Sequence, residues 1–575
     1  DRYLAGWRMA REAGEALGMT VLLGMELRFA GSFNDYLVYG VTPGLLEEYP
    51  ALYTLSPERF SRLAKDNGLW WAQAHPFRPG LTRCPASCLD GLEVFNGNPR
   101  HDSHNDLAAA YAALMIWTYR RVVGLFDGEP LRRRAALPWS FGLLLLAGCD
   151  FLAIRGGTGA SVANVSKVYF SSNMFLNHAA TNPVFSFLTT LGDHTDYASE
   201  YPFFDEETRA AKFDALRGNG PASGPSERVL TKTRPNVVVV ILESFARTVM
   251  DADVDGRPVM PNMRRLRDEG VWFENFFANS FRTDRGEVAV LSGFPAQTRM
   301  SIMKLPAKSR SLPSLARSLA REGYATSFVY GGDLNFTNQA SYMYATGWQQ
   351  LVWQRDLRFD TPPSDWGYDD AVMCDWFADR VIAQSGTGEP FLAGLLTLSS
   401  HRPFDVPFSR FDDRELNAFA FADDCVGRMI DKLRASPAWD DLLVVLVADH
   451  GYPWPRSLSY NEPLRHRIPM IWTGGAVAGP RVVEEYASQI DICATILGQL
   501  EVAHDDFDYS KDIFAPTPPR KFAYYTFNDG FGVVDASGEA VWDATSGKAV
   551  SETSPALMDV GRTMLQTTYT DIGNR

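Results

Sequence analysis

The sequence predicts an α/β protein with a central, mostly parallel sheet flanked by helices and a small C-terminal subdomain. Three observations predict it. From residue 235 onward, runs apolar on both faces (PNVVVVIL, ATSFVYGG, PFLAGLLTLSS, DLLVVLVADHG) are short enough to be strands. Between them lie amphipathic helical segments such as SLPSLARSLAREG, YDDAVMCDWFADRVIAQ and ELNAFAFADDCVGRMIDKLRAS. Strands buried on both faces and separated by helices belong to parallel sheets covered on both sides. Polar residues stand where the apolar runs stop, and such sheets keep their ligand sites beyond the carboxyl ends of their strands.

At 575 residues and 46% hydrophobic, the chain has material for two or more domains. A formal charge of -14, from 69 acidic against 55 basic residues, argues against nucleic-acid binding, which needs a basic face. Of six cysteines, only Cys84 and Cys88 lie close together. Neither a disulfide framework nor a structural zinc is expected.

In chain order, five parts are expected: 1-113, 114-160, 161-234, 235-507 and 508-575. Residues 137-154, LPWSFGLLLLAGCDFLAI, are about as long as a membrane helix, although Asp150 interrupts them. A transmembrane helix is expected there, a buried core helix being the alternative. Arg120, Arg121, Arg132, Arg133 and Arg134 precede it, and short arginine-rich flanks stay cytoplasmic. Everything later would face outward, giving an inner-membrane enzyme with an extracytoplasmic or periplasmic catalytic domain. The run at 107-119 is too short to span. RGGTGAS at 155-161 lacks the Gly-Lys-Ser/Thr ending of a phosphate loop and reads as a linker. Residues 217-234, rich in Gly, Pro and Ser, read as a second one.

Within 235-507 the polar residues at strand ends form the candidate site. Glu243 closes VVVVILE, His401 closes LLTLSSH, Asp449 and His450 close VVLVADH, and Thr283 opens a helix in SFRTDRGEVAVLSGF. Each has a plain alternative: Glu243 or Thr283 could cap a helix, and His401 could sit in a turn. Together they make chemical sense. Two carboxylates and an imidazole on rigid strand ends can hold one divalent cation. A threonine hydroxyl becomes a nucleophile when a cation lowers its pKa or a base takes its proton. At a helix N-terminus it also faces N-H groups suited to phosphate oxygens. His401 is left to bind phosphate or protonate a leaving alkoxide, and Arg282 and Arg285 to neutralise charge.

At these residues the chain resembles the lipoteichoic acid synthase-like enzymes, phosphoglycerol transferases of the sulfatase and alkaline phosphatase superfamily. The resemblance runs from about Phe151 to the end and includes NHAATNP and YYTFNDGFG. It implies an alkaline phosphatase/sulfatase-like fold and one Mn2+, with Zn2+ or Mg2+ as alternatives, held by Glu243, Thr283, Asp449 and His450. It also implies Thr283 as covalent nucleophile and His401 as substrate-binding histidine. Asp333 and Asn338 join Arg282 and Arg285 as substrate-binding candidates. The implied partners are a membrane and a phospholipid or phosphodiester substrate; the oligomeric state is left open. The implied reaction transfers a phosphoglycerol-type head group through a threonine intermediate, with simple phosphodiester or phosphomonoester hydrolysis as the alternative.

Two departures qualify the resemblance. True sulfatases convert a Cys or Ser to formylglycine, and Thr283 cannot undergo that conversion, so sulfate-ester hydrolysis is not expected. The Gram-positive polymerases carry a histidine before Gly-Asp and a Trp-Asn-Arg set. Here Gly331 and the run Phe336, Thr337, Asn338, Gln339 occupy those places.

Residues 1-113 resemble the middle of a PHP-type metal phosphoesterase, through GMELRF, AHP and DGLEVFNGNPRHDSHND. Glu26 and His75 match internal ligands of that family. Its opening His-x-His and closing Ser-Asp-x-His are missing, so a truncated remnant without its full metal centre is expected.

Overall fold

The computed structural model describes residues 23-74, 82-93, 162-190, 195-217, 226-516 and 521-575, with isolated positions elsewhere. The apolar stretch at 137-154 and its arginine flank lie almost wholly outside the described residues, as does His75. Among the described residues, no helix is long and apolar enough to cross a membrane.

The chain divides into two compact units, one comprising residues 1-145 with 183-192, the other the remainder. The first contains strands β1 (Gly24–Arg28), β2 (Asp35–Tyr39), β3 (Trp70–Gln73) and β4 (Gly91–Leu92), with helix α1 (Pro57–Asp66) between β2 and β3. The four strands form one sheet in that order, β3 and β4 parallel and the rest antiparallel. Phe29, Tyr36, Phe60 and Trp71 interlock in its core at ring separations of 4.8 to 6.1 Å. Alternation along β1 buries Leu27 and leaves Glu26 exposed.

The second unit is organised around β5 (Asn236–Leu242), whose residues 237-242 have no exposed surface. It continues through α2 (Pro261–Glu269), β6 (Val271–Phe273), α3 (Thr283–Ser292), α4 (Leu315–Arg321), β7 (Ala325–Tyr330) and α5 (Gln339–Ala345). Then follow β8 (Gln350–Trp353), α6 (Asp370–Ser385), β9 (Phe391–Leu396), α7 (Arg414–Arg434), β10 (Leu442–Ala448), β11 (Met470–Thr473), β12 (Arg481–Val483) and α8 (Ile492–Gln499).

The sheet has eight strands in the order β8-β7-β9-β5-β10-β11-β6-β12. Strands β8, β7, β9, β5 and β10 are mutually parallel, whereas β11 runs antiparallel to both β10 and β6. The central sheet is therefore mixed, with its parallel half where the buried Val/Ile/Leu runs predicted it. β11 departs because residues 449-469, which join it to β10, hold only the four-residue helix Pro463–His466 and no long crossover helix to lay across the sheet.

A four-stranded antiparallel sheet, β13 (Phe522–Phe527), β14 (Gly530–Asp535), β15 (Gly538–Asp543) and β16 (Lys548–Glu552), ends the chain with helix α9 (Pro555–Asn574). Helix α9 lies so close to β14 that a Cβ at Gly561 would meet the Phe531 ring at 1.9 Å. The connector ahead of residue 235 is not a free linker. The Gln566 side chain of α9 accepts from the Phe204 amide at 2.9 Å and donates to the Phe204 carbonyl at 2.8 Å. Nearby, Arg209 donates to Thr567 at 3.0 Å. Apolar residues such as Tyr201 and Phe213 hold this connector to the main core.

Candidate active site

The parallel register sets the site, because β5 and β10 are paired through Leu242 and Ala448. The next residue on each, Glu243 and Asp449, therefore emerges side by side at the carboxyl edge. A ligand atom from each of Glu243, Asp449 and His450 lies within 4.8 Å of the others, the one such grouping among the described residues. The His450 ring nitrogen Nε2 faces Asp449 Oδ2 at 3.4 Å and Glu243 Oε1 at 3.8 Å. Its Nδ1 lies 3.3 Å from the Gly451 carbonyl. A carbonyl only accepts, so Nδ1 carries the hydrogen and Nε2 is left as the ligand atom.

Ser244 tightens the pair. Its backbone is left-handed, with φ of 60°, a conformation that costs a non-glycine residue about 1 to 2 kcal/mol. In return its N-H donates to Asp449 Oδ1 at 2.6 Å and its hydroxyl donates to Glu243 Oε1 at 2.6 Å. Asp449 Oδ2 is buried without any hydrogen-bond partner. Burial, and then the charge of Asp449, raise the Glu243 carboxyl well above the usual carboxylate range. Two adjacent buried carboxylates, one with an orphaned oxygen, are stable as anions only with a cation between them. The oxygen and imidazole donors suit a divalent ion.

Thr283 completes the group from the other side. It is the first residue of α3, and Arg282 occupies the N-cap position without a side-chain cap bond. The Thr283 hydroxyl instead points at Glu243 Oε2, 3.3 Å away. Glycine makes this approach feasible, since a Cβ at Gly286 would lie 2.1 Å from the Asp449 carbonyl. Thr283 is half-buried and Arg282 exposed. Arg285 is turned inward: it is 5% exposed, donates to the Thr298 carbonyl at 3.0 Å and covers the Phe281 ring.

His401 stands beside this centre, half-buried, with its ring 4.6 Å from that of Trp366. Its Nδ1 is 2.7 Å from the Arg402 carbonyl, which leaves Nε2 for a substrate. Burial lowers the His401 pKa.

Asp333 follows β7 and accepts the Asn335 amide at 2.9 Å. Asn338 is 8% exposed, left-handed at φ 67°, with Oδ1 unpartnered. The substitution of glycine at 331 has a steric reason. A Cβ there would come within 2.7 Å of the Tyr368 carbonyl, and Tyr368 N-H bonds the Gly331 carbonyl at 3.0 Å. This close backbone contact belongs to the loop that carries Trp366 to His401. Phe336, 41% exposed, packs edge-on against Trp366 at 5.6 Å.

Residues missed in the sequence include Ser244, Thr397, Ser400, Asp370 and Glu287. Glu287 lies one turn beyond Thr283 on the same helix face, fully buried with neither oxygen paired. Burial, then Asp449, raise its pKa well above normal. Its spacing of four from Thr283 was the available signal.

Residues 235-502 match the sulfatase family. The chain carries a sulfatase domain. Among curated relatives, phosphoglycerol transferase I of Xanthomonas axonopodis pv. citri (strain 306) is 26% identical over 313 residues, 50% of this chain and 43% of that protein. Lipoteichoic acid synthase 2 of Bacillus subtilis (strain 168) is 24% identical over 307 residues, covering 47% of this chain and 46% of the relative. The chain thus spans under half the length of these relatives.

Among solved structures, an alkaline phosphatase superfamily protein from Vibrio parahaemolyticus matches with a TM-score of 0.58 and 22% identity, over 65% of this chain and 97% of that one. The lipoteichoic acid synthase LtaP from Listeria monocytogenes matches with a TM-score of 0.55 and 22% identity, over 64% and 98%. These likenesses establish the alkaline phosphatase/sulfatase-like fold of the sulfatase domain.

Proposed function

We propose that the sulfatase domain transfers a phosphoglycerol-type head group from a phospholipid to an acceptor hydroxyl through a covalent Thr283 intermediate. The observation that carries this reading is the Thr283 hydroxyl, at a helix N-terminus and aimed at a cluster of Glu243, Asp449 and His450. The names of the relatives, phosphoglycerol transferase and lipoteichoic acid synthase, support the substrate class.

Glu243, Thr283, Asp449 and His450 would hold one Mn2+. Such an ion would supply Lewis-acid charge neutralisation and favour the threonine alkoxide. Thr283 Oγ1 bonds to phosphorus as the bond from phosphorus to the diacylglycerol oxygen breaks. The threonine proton passes to Glu243 Oε2, its present hydrogen-bond acceptor. The amides of Thr283 and Asp284, first in α3 and without intrahelical acceptors, orient the phosphate oxygens.

In its imidazolium form, His401 gives its Nε2 proton to the departing alkoxide. The neutral ring then takes a proton from the acceptor hydroxyl as that oxygen displaces Thr283, which recovers its own proton from Glu243. A lowered pKa makes His401 a stronger acid for the first step and favours its neutral form for the second. Asp333, Asn338 and Arg282 are the candidates for gripping the head group.

The apolar stretch at 137-154 and the arginines before it support an inner-membrane anchor with this domain outside. The test is product analysis with phosphatidylglycerol, with and without added glycerol. Transfer yields diacylglycerol and a glycerol adduct that grows with acceptor concentration. Release of free glycerol phosphate alone, insensitive to acceptor, would replace transfer by hydrolysis.

A further inference from the structure

The segment Thr397 to His401 leaves β9 and carries the histidine to the site. It is fastened at both sides. Toward the cluster, Glu243 N-H donates to Thr397 Oγ1 at 2.8 Å and Ser400 Oγ donates to the Glu243 carbonyl at 2.6 Å. On the other side stands Asp370, the first residue of α6 and 1% exposed. Its Oδ1 accepts the Leu398 N-H at 2.7 Å and its Oδ2 the Ser399 N-H at 2.9 Å. Its own N-H donates to Ser399 Oγ at 2.8 Å. The His401 N-H then closes a turn onto the Leu398 carbonyl at 2.9 Å.

A buried carboxylate is expensive to desolvate, and a helix needs no such group in its first position when the N-cap is already filled. Asp369 fills it, accepting the amides of Ala371 and Val372 at 2.9 and 3.3 Å. Asp370 is therefore free of capping duty, and its carboxylate bonds instead to two consecutive amides of the histidine segment.

We infer that Asp370 is a positioning residue for His401, fixing the turn that presents Nε2 to the reacting phosphate. This rests on the proposed transfer reaction. Both carboxylate oxygens are in use as acceptors, so an isosteric amide cannot replace them: Asp370→Asn sets an NH2 group against a backbone N-H. The turn then shifts while Glu243, Asp449 and His450 remain in place. A displacement of order 1 Å at a catalytic group costs on the order of 100-fold in rate.

The experiment is a double-mutant cycle on the whole chain with phosphatidylglycerol, using Asp370→Asn, His401→Ala and both together, with Mn2+ affinity measured by calorimetry. Asp370→Asn is expected to lower kcat about 10- to 100-fold with KM and Mn2+ affinity little changed, and to have no added effect once His401 is alanine. Equal losses with and without His401 would overturn the inference, because the effect would then be structural. An unchanged kcat in Asp370→Asn, while His401→Ala is impaired, would overturn it as well. If His401→Ala were itself fully active, the transfer mechanism would fail instead, which keeps the two failures distinct. Should Asp370→Asn fail to give a melting transition, Ser399→Ala replaces it in the cycle. That variant removes only the return bond to the Asp370 amide and is expected to cost a few-fold, again only when His401 is present. An equal loss in the His401→Ala background would overturn the inference.

Discussion

Glu26 in the N-terminal unit and Glu243 in the sulfatase domain both read from the sequence as candidate metal ligands, and among the described residues only Glu243 lies in a ligand-type cluster. Glu26 lies on the exposed face of β1, paired in register with Leu37, with no ligand-type cluster around it among the described residues. Glu243, Asp449 and His450 converge because two adjacent parallel strands end in register and a helix start is pressed against them. A metal site is thus a property of where strand ends meet.

The variant expected to have the largest effect is Thr283→Ala. It should lower turnover of phosphatidylglycerol by at least ~1000-fold, with the melting temperature near that of the parent, because a half-buried hydroxyl with one 3.3 Å bond is removed. Parent-like turnover would break the contrast between the two units. Next comes Asp449→Asn, which should weaken Mn2+ binding, read by calorimetry or paramagnetic resonance, by more than about 100-fold. It should also lower activity in step.

His401→Ala should cost about 100- to 10,000-fold with a lipid substrate. It should cost much less with a p-nitrophenyl phosphodiester, whose leaving group needs no proton. The pH dependence has a defined sign. Burial lowers the His401 pKa from its usual 6.5, so the imidazolium needed for alkoxide departure is lost as pH rises through a value below 6.5. That limb should vanish in His401→Ala and with the p-nitrophenyl substrate. The smallest effect is expected for Glu26→Ala, whose turnover and Mn2+ stoichiometry should match the parent within error. A measurable loss of phosphodiester turnover there would place chemistry in the N-terminal unit.

Much of this was legible in the sequence. The runs VVVVIL and LLVVLVA, of strand length and rich in β-branched residues, read as strands covered on both faces, and the polar residue following each falls at the sheet's carboxyl edge. Thr283 was legible as a helix start, but its exchange of a capping role for a bond to Glu243 depends on Gly286 nestling against Asp449. Arg285 read as a cation for substrate; tertiary packing instead buries its guanidinium over Phe281 and bonds it to Thr298. Asp370 carried no sequence signal, because its partners lie 28 and 29 residues away. The connector helix Glu206–Arg217 was equally hidden, since α9, which holds it, is remote in the chain.

The central claim is that Thr283 becomes covalently phosphorylated. Intact-mass and peptide mass spectrometry of the Mn2+-loaded protein, quenched in acid during turnover of phosphatidylglycerol, tests it most directly. The account predicts one added phosphoglycerol unit on the peptide containing Thr283, absent in Thr283→Ala and accumulating in His401→Ala with a p-nitrophenyl phosphodiester. Steady turnover with no adduct on that peptide, or an adduct on another residue, would contradict it.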